Sequence, residues 1–322
     1  MSTTTHYHLM NELKQRHKVI AELISNSSVV YLDVPFYRNV GDLLIMQGTL
    51  TFFKHYSIQV KFKSSWFNTP ESRIGSKDVL VFQGGGNLGD LYYGCQHLRE
   101  SLIPKFTNNR IIILPQTIHF EDDKKFQRCC ECFRKHPDLH ICVRDQKSFE
   151  LARQMTDNVY LLPDMAHQLY PLTATRATEN ATLGLFRKDI EALPVSKEFR
   201  CETITDWNLM FSNRNKLIVT AYRISRALGV IGLNSLLGAF TTECWIKASR
   251  SLTKSAVKLY SRHSHIVTDR LHGHILACLL DKPHVVLDNS YGKNSRYMQC
   301  WTAKSDLVTL QIDSAEVSDG GR

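Results

Sequence analysis

The sequence predicts an α/β protein that contains two successive sets of strands and helices. Short β-branched or apolar runs alternate with longer amphipathic or charged stretches, which is the pattern of parallel sheets covered by helices. Polar residues follow most of the predicted strands, and residues 171–180 have the composition of a linker. We therefore expect one α/β domain over residues 1–172 and a second over residues 181–322.

The composition is typical of a soluble globular protein, with 43% apolar and 22% charged residues. No apolar run reaches the length of about 18 residues that a transmembrane helix needs, and the first eight residues do not resemble a signal peptide. We therefore expect a cytoplasmic protein. The net charge of +9 suits anionic small substrates or acidic lipid headgroups, or serves solubility alone. Because the basic residues are scattered along the chain, we expect no nucleic-acid partner.

The nine cysteines are an odd number, and without an export signal they are expected to be reduced thiols. Cys129 and Cys132 have C-x-x-C spacing, and His136 lies one helical turn further on. A zinc site normally needs a second such pair, which the sequence lacks. We therefore interpret these cysteines as packing residues and expect no metal.

The elements of the first domain follow from periodicity and from runs of β-branched residues. Predicted helices cover Leu9–Ser25, Leu43–Tyr56, Asp122–His136 and Gln146–Met155. Predicted strands cover Ser28–Val34, Ile58–Phe62, Asp78–Phe82, Arg110–Leu114, Leu139–Val143 and Asn158–Leu162. A second set of strands and helices begins at Thr182, after the linker.

Polar residues and glycines follow these strands, at what should be one edge of the sheet. They are Asp42, Gly84, Gly86, Gln116, His119, Arg144 and Asp164. Ligands of open α/β sheets bind at this edge. Gly84, Gly86 and Gly89 also spell the dinucleotide pattern G-x-G-x-x-G, but they follow the third strand, and no acidic residue ends the next one. We interpret them as glycines that let another ligand or loop approach closely.

The second domain contains two or three predicted helices between Asn215 and Tyr260. The last of them has an apolar face with Trp245, Leu252, Ala256 and Leu259. Its other face carries Lys247, Arg250, Lys254 and Lys258, which are either solvated or, less favourably, in contact with anionic lipid. After it come the strands His265–Val267 and Pro283–Leu287 and a short helix through Cys300 and Trp301.

The turn Thr268–His274 joins a strand to a buried helix and carries one arginine and two histidines. Backbone N–H groups at the start of a helix favour anions. Taken alone, this turn fits two interpretations equally well. Either Arg270 pairs with a local carboxylate and the histidine is a core residue, or Arg270 and His272 form an anion site.

Seven short motifs, in this order and spacing, resemble the polysaccharide pyruvyl transferase family. They are Asn39–Asp42, Gln83–Asp90, Leu114–Thr117, Val143–Asp145, Leu162–Asp164, Thr268–Gly273 and Asp288–Lys293, and the resemblance spans about Val29 to Tyr297. It implies a GT-B-like fold, in which two Rossmann-like domains face a cleft. It also implies an enzyme that moves the pyruvyl group of phosphoenolpyruvate onto two hydroxyls of a sugar, with release of phosphate and without a cofactor. Relatives of this kind act in exopolysaccharide or cell-wall assembly, often on a lipid-linked repeat unit, which adds peripheral contact with the inner membrane face as an expectation.

The resemblance also implies roles for individual residues. Phosphoenolpyruvate carries a carboxylate and a phosphate, which arginine binds well through its planar fork. The expected donor-binding residues are Arg144, Arg270, Leu271 through its N–H, His272 and Lys293. The expected acceptor-binding residues are Asn39, Asp42, Gly85, Asn87 and Gln116. His119 or His272 is expected to transfer the proton, and the sequence does not separate them. His274 lies outside the matching motif and is interpreted as a core residue.

Two other functions stay open on the sequence. A GT-B glycosyltransferase would share the fold and the basic residues but would bind a nucleotide sugar. A non-catalytic member would serve as a scaffold in polymer assembly, although the set of Arg144, Arg270 and His272 is intact.

Overall fold

The computed structural model describes residues 5–173, 180–187, 200–207, 234–288 and 292–311, together with the single residues 224 and 227. The chain forms two compact units. The N-terminal unit consists of Asn11–Tyr170 and Phe211–Ser255, and the C-terminal unit consists of Met1–Met10, Pro171–Met210 and Ala256–Arg322. The sequence-based boundaries kept each domain continuous, whereas described residues 5–10 and 234–255 each belong to the unit on the other side of the linker. Periodicity places these segments in helices but does not say which sheet a helix covers.

Nine α-helices lie in the described part of the chain. They are α1 (Thr5–Arg16), α2 (Lys18–Ile24), α3 (Val40–His55), α4 (Tyr93–Lys105), α5 (Asp123–Arg134), α6 (Gln146–Ala152), α7 (Asn234–Arg262), α8 (Leu271–Leu279) and α9 (Lys293–Trp301). Two short 3-10 helices cover Glu71–Arg73 and Met165–Leu169. The single helix predicted for Leu9–Ser25 is broken at His17, whose buried ring contacts the carbonyl oxygen of Pro163 (Nε2···O 2.8 Å).

The N-terminal unit contains a seven-stranded sheet, counted over the described residues, in which every pairing is parallel. Its strands are β1 (Val29–Leu32), β2 (Val60–Lys63), β3 (Val79–Phe82), β4 (Gly85–Gly89), β5 (Ile111–His119), β6 (Leu139–Val143) and β7 (Asn158–Leu161). The strand order is β2-β1-β3-β5-β6-β7, and β4 pairs with β5 off this path. The order reverses between β1 and β3, which is the switch point where open parallel sheets bind ligands.

The prediction for the fourth core strand was wrong at its carboxyl end. Strand β5 does not stop at Leu114 but continues to His119, and the predicted loop beside it contains strand β4. Pro115 donates no hydrogen bond, and the pairing of β5 with β6 shifts register between Ile113 and Gln116. The glycines of β4 make the extra pairing feasible, since Gly85 and Gly89 have φ angles of 129° and 145°.

Both faces of the N-terminal sheet are covered. In β1, Val29 and Tyr31 belong to one buried cluster, while Val30 and Leu32 belong to the other. A strand buried on both faces explains why its sequence is a continuous apolar run and not an alternation. Helix α7 packs its apolar face on the first cluster through Trp245, which stacks on Phe36 with ring centroids 4.7 Å apart.

The basic side of α7 is confirmed as exposed. Its lysines and arginine at positions 247, 250, 254 and 258 all lie at the surface. Trp245, Leu252 and Ala256 are buried as the periodicity predicted, and Leu259 is half-buried. The rest of the helical stretch expected from Asn215 lies mostly outside the described residues.

The C-terminal unit contains a five-stranded sheet in its described part, and again every pairing is parallel. The strands are β8 (Thr182–Leu185), β9 (Thr203–Thr205), β10 (His265–Thr268), β11 (His284–Leu287) and β12 (Val308–Gln311). Their order is β12-β11-β10-β8-β9, so this sheet reverses between β8 and β10. The predicted α/β class with parallel sheets is confirmed, whereas the GT-B-like arrangement stays a prediction. Among the described helices, none has the length and apolar character needed to cross a bilayer.

Candidate functional site

The turn after β10 lies at the switch point of the C-terminal sheet. Strand β10 ends at Thr268, and helix α8 begins three residues later at Leu271. The hydroxyl of Thr268 donates to the carbonyl oxygen of Leu185 at the end of β8 (2.8 Å) and accepts from the backbone N–H of Arg270 (3.1 Å). The two strands that flank the switch point are therefore tied together directly beneath Arg270.

Gly273 lets helix α8 start against these strand ends. A Cβ atom at this position would lie 2.4 Å from Thr268 Oγ1 and 2.9 Å from Leu185 Cδ2, so any side chain would push the helix away. The first N–H groups of a helix have no partner within it and carry its positive dipole end. The close packing therefore holds this positive end at the carboxyl edge of the sheet.

Asp269 joins the turn to the loop after β8 and to helix α9. Both of its carboxylate oxygens accept from the backbone N–H of Arg187, at 2.9 and 3.1 Å, in the loop after β8. Its carbonyl oxygen accepts from Asn294 Nδ2 (2.7 Å) in helix α9. Burial raises the pKa of Asp269 to about 6, against the favourable contacts with the Arg187 N–H and the Arg270 guanidinium. The turn is therefore preformed by hydrogen bonds and not left as a loose loop.

Arg270 forms a two-point ion pair with Asp206, which follows strand β9. Its Nε lies 2.5 Å from Asp206 Oδ1 and its Nη2 lies 2.8 Å from Oδ2. Both side chains are almost fully buried. The sequence left a local salt bridge and an anion site as alternatives for Arg270, and the structure shows the salt bridge at a position where anion binding is expected.

His272 and Lys293 lie at the starts of two helices of the same unit. His272 is the second residue of α8, Lys293 is the first residue of α9, and both are half-buried. Helix α9 is capped by Asp288, whose Oδ1 accepts from the N–H groups of Asn294 (3.2 Å) and Ser295 (3.3 Å). Residues 289–291 of the predicted turn lie outside the described residues.

His274, Cys278 and His284 form the group of described residues best suited to hold a metal ion, because one ligand atom of each lies within 4.8 Å of the others. Hydrogen bonds explain this group without an ion. Nδ1 of His284 must donate to the carbonyl oxygen of Lys282 (2.7 Å), so its Nε2 accepts from His274 Nδ1 (2.7 Å). The Cys278 sulfur lies almost equally far from both nitrogens of His274, at 3.8 and 4.0 Å, and not along one lone pair. His274 is fully buried, as expected of a core residue.

Three of the predicted acceptor-binding residues meet at the start of helix α3. Asn39 caps the helix by accepting from the N–H of Gly41 (3.0 Å), and Asp42 lies in its first turn. A Cβ atom on Gly85 would lie 3.4 Å from Asp42 Oδ1, so β4 passes directly beside this carboxylate. Asn39 and Asp42 are half-buried. They therefore form a polar group at the switch point of the N-terminal sheet.

The other two predicted acceptor-binding residues, Asn87 and Gln116, are buried and bonded to each other. Gln116 Nε2 donates to Asn87 Oδ1 (2.8 Å), and Asn87 N–H donates to Gln116 Oε1 (3.2 Å). Gln116 Nε2 also donates to the carbonyl oxygen of Gln83 (2.8 Å). These contacts fix the glycine-rich segment to β5. Both side chains therefore have a supporting role at this edge of the sheet.

Sequence reasoning missed the ion pair at the centre of this network. Arg99, fully buried on α4, donates to Asp33 Oδ2 (2.8 Å) and to Asn87 Oδ1 (2.8 Å). Asp33 follows β1 in a left-handed conformation (φ 61°), which non-glycine residues rarely adopt and which clusters at functional sites. Burial raises the pKa of Asp33, while the Arg99 charge opposes that shift. An aspartate directly after the first strand was the available signal, but nothing in the sequence around Arg99 indicates its partner.

His119 and Arg144 occupy the ends of neighbouring strands in the N-terminal sheet. His119 ends β5 with its side chain 33% exposed, and its Nε2 lies 4.0 Å from Glu121 Oε1. Arg144 follows β6, but its side chain is only 1% exposed. Its Nε donates to Thr117 Oγ1 (2.9 Å), and its Nη1 donates to Asp164. Any donor contact by Arg144 would therefore need an edge that these two partners leave open.

The glycine-rich segment makes the close approach that was predicted for it, and its partner is the protein itself. A Cβ atom on Gly89 would lie 1.7 Å from the carbonyl oxygen of His119, and one on Gly84 would lie 2.8 Å from that of Pro115. The glycines let β4 pair closely with β5.

Comparison with known proteins decides the family. The sequence model of the family described as “Polysaccharide pyruvyl transferase” matches residues 39–291, which is more than half of the chain. The chain belongs to the polysaccharide pyruvyl transferase family. It is 38% identical over 298 residues to the Bacillus subtilis (strain 168) protein named “Putative pyruvyl transferase EpsO”, covering 91% of this chain and 92% of that one.

More distant relatives agree with this assignment. “Pyruvyl transferase 1” of Schizosaccharomyces pombe is 24% identical over 308 residues, covering 89% of this chain and 73% of the relative. A crystal structure of an uncharacterised Klebsiella pneumoniae protein superimposes with a TM-score of 0.57 at 22% identity, covering 93% of this chain and 98% of that chain. The structural likeness supports the fold alone. The predicted membership of this enzyme family is confirmed.

Proposed function

We propose that this pyruvyl transferase uses phosphoenolpyruvate as its donor and forms a pyruvyl ketal on a sugar of a cell-surface or exopolysaccharide glycan. In that reaction two sugar oxygens bond to C2 of the donor, and the bond from C2 to the phosphate oxygen breaks. The two hydroxyls lose one proton each: one proton is balanced by the proton delivered to C3, which becomes a methyl group, and the other leaves with phosphate. The family membership supports the transfer, and the preformed Arg270 turn at a sheet switch point supports an anionic donor.

The donor is assigned to the start of helix α8. Arg270 supplies a guanidinium, His272 an imidazole, and the N–H of Leu271 lies at the positive end of the helix. Lys293 is a further candidate for the phosphate because a second helix, α9, begins at this residue. For Arg144 the donor contact stays a prediction, because Asp164 and Thr117 engage two of its nitrogens.

His272 and His119 are the candidates for proton transfer. Both are half-buried, so each can reach a bound substrate. His274, by contrast, is fully buried. Neutral imidazole is suited to take a hydroxyl proton near pH 7, and its protonated form is suited to deliver one to C3.

The acceptor sugar is assigned to the polar group at the start of α3. Asn39 and Asp42 are accessible enough to orient hydroxyl groups, and Gly85 leaves space beside the Asp42 carboxylate. Asn87 and Gln116 contribute by holding the glycine-rich segment in place.

We propose further that the acceptor is lipid-linked and that the protein works in the cytoplasm, in peripheral contact with the inner membrane face. The exposed basic side chains of α7 and the net charge of +9 favour a surface of anionic lipid.

A phosphate-release screen tests this function. Purified protein is mixed with phosphoenolpyruvate and a panel of galactosides, other hexosides and lipid-linked glycans. We expect phosphate release that depends on one acceptor class and disappears in Arg270→Ala, while Arg262→Ala, at an exposed arginine that ends α7, retains it. Stabilisation by UDP and not by phosphoenolpyruvate would instead indicate a nucleotide-sugar transferase, and stabilisation by neither would indicate a scaffold.

A further inference from the structure

Asp206 is the partner of Arg270 on a loop to which the sequence assigned no role. It follows strand β9, an edge strand that pairs only with β8 among the described strands. Its carboxylate meets Nε and Nη2 of Arg270 in the planar two-point geometry that fixes a guanidinium in both position and plane.

Asp206 also has a contact within its own loop. Its Oδ1 accepts from the backbone N–H of Trp207 (2.6 Å). The Trp207 ring stacks on Tyr260 with ring centroids 6.1 Å apart, and the Tyr260 hydroxyl donates to the carbonyl oxygen of Gly273 (3.3 Å). The carboxylate and the first turn of α8 are therefore connected by continuous contacts as well as by the ion pair.

Stability alone is a poor explanation for this pair. Taking two charges out of water costs about as much as their attraction returns, and replacing buried pairs by apolar residues is often neutral or stabilising. The pair also reduces the net positive charge that Arg270 offers to an anion, because the Asp206 carboxylate carries the opposite charge. What the pair supplies is orientation, since contacts at both Nε and Nη2 fix the position and the plane of the guanidinium.

We propose that Asp206 is a positioning residue, which fixes the guanidinium plane of Arg270 so that Arg270 donates in a set direction to a carboxylate or phosphate oxygen of the donor. This inference rests on the proposed function. Because the pair is neutral, the donor's negative charge is then met mainly by the start of helix α8 and by its neighbours His272 and Lys293. Arg270 acts as a directed hydrogen-bond donor and not as a bare charge.

Asp206→Asn separates positioning from charge, because it keeps the side-chain shape while the site gains one positive charge. A role in charge balance alone predicts that Asp206→Asn binds phosphoenolpyruvate and inorganic phosphate more tightly. Positioning predicts the opposite for phosphoenolpyruvate, with Kd rising by at least about tenfold, and a smaller change for inorganic phosphate. The control is Asp138→Asn, which removes a half-exposed partner of Arg110 in the N-terminal unit and should leave both Kd values unchanged.

A second readout needs no donor. Arginine side-chain ¹⁵N spectra of the unliganded protein, assigned with Arg270→Lys, should show an immobilised Arg270 Nε–H that exchanges slowly with water. In Asp206→Asn, measured at a temperature where the variant stays folded, that signal should broaden or exchange at least about tenfold faster. Unchanged Arg270 dynamics, or phosphoenolpyruvate binding as tight as wild type, would overturn the positioning role. If the wild type shows the immobilised arginine but does not bind phosphoenolpyruvate, the proposed function fails, whereas the fixing of Arg270 by Asp206 stands.

Discussion

Asp33 and Arg99 form an ion pair that is sealed from solvent at the switch point of the N-terminal sheet, with Arg99 Nη2 2.8 Å from Asp33 Oδ2. Arg99 also donates to the carbonyl oxygen (3.0 Å) and side chain of Asn87. One guanidinium thus joins the end of β1 to the glycine-rich segment beside Asp42. The pair organises the surface to which the acceptor sugar is assigned, although neither residue is exposed enough to touch a sugar.

Removing Arg99 should therefore lower the stability of the protein strongly. Arg99→Met leaves the Asp33 carboxylate buried without its partner, and we expect a loss of about 3–5 kcal/mol in the free energy of unfolding. Arg110→Met, which removes a half-exposed pair with Asp138, should cost no more than about 1 kcal/mol. Urea denaturation of both variants measures the difference. Equal losses would show that the Asp33–Arg99 pair does not carry this part of the fold.

Gly89→Ala should destabilise the pairing of β4 with β5. The new Cβ would lie 1.7 Å from the carbonyl oxygen of His119, and the backbone has φ 145°, so strain and overlap add. We expect a loss of at least about 2 kcal/mol, measured by thermal and urea denaturation. Gly75→Ala is the matched control, because its Cβ would meet only side-chain atoms at 3.3 Å or more. A loss as small as that of the control would contradict the close pairing.

Two buried histidines should make the protein sensitive to acid. Burial lowers the pKa of both His17 and His284 from 6.5 to about 4, so both are neutral in the folded state at pH 7. Their contribution to stability is fully present above pH 6.5 and is lost as the pH falls from 6.5 towards 4, because the unfolded chain binds those protons first. We expect the thermal midpoint to fall over this window.

Variants show which histidine causes the fall of the thermal midpoint with pH. His284→Gln should flatten the dependence of the thermal midpoint on pH between 6.5 and 4, even if the midpoint at pH 7 is lower. His55→Gln, at an exposed histidine, should leave the slope unchanged. A His284→Gln slope equal to that of the wild type would show that this buried ring is not responsible.

Gly273→Ala should weaken the donor site. The added methyl group would overlap Thr268 Oγ1 and Leu185 Cδ2, which moves the first turn of α8 and with it Arg270 and His272. We expect the Kd for phosphoenolpyruvate to rise by at least about tenfold. Cys278→Ala, more than one turn further along the same helix, should change the fold's stability but not that Kd. Equal affinities in Gly273→Ala and the wild type would separate the turn from donor binding.

The sequence predicted those parts of the fold that depend on local pattern. Continuous apolar runs such as Val29–Leu32 are strands buried on both faces, and the motif order was sufficient to indicate the family. The extension of β5 to His119 was missed because Pro115 usually ends a strand, and only the register shift beside it allows pairing to continue. The membership of α7 in both units depends on long-range packing, such as the contact of Trp245 with Phe36.

The candidate site was predictable only where its residues belong to motifs. Arg270 and His272 stand in a strand–turn–helix pattern, and Asn39 precedes a helix as a cap. Asp206 and Arg99 have no local signature, because each is defined by a partner that lies 64 or 66 residues away in the chain. The sequence predicted Asp42, Asn87 and Gln116 alike as acceptor-binding residues. In the structure Asp42 is accessible, whereas Asn87 and Gln116 are buried.

The proposed function depends on phosphoenolpyruvate binding through Arg270 at the start of helix α8. Isothermal titration with phosphoenolpyruvate compares the wild type, Arg270→Ala, Arg270→Lys and the exposed control Arg262→Ala. We expect saturable binding to the wild type and to Arg262→Ala, a Kd at least about tenfold higher for Arg270→Lys, and no measurable binding to Arg270→Ala. Wild-type affinity in folded Arg270→Ala would show that Arg270 does not bind the donor.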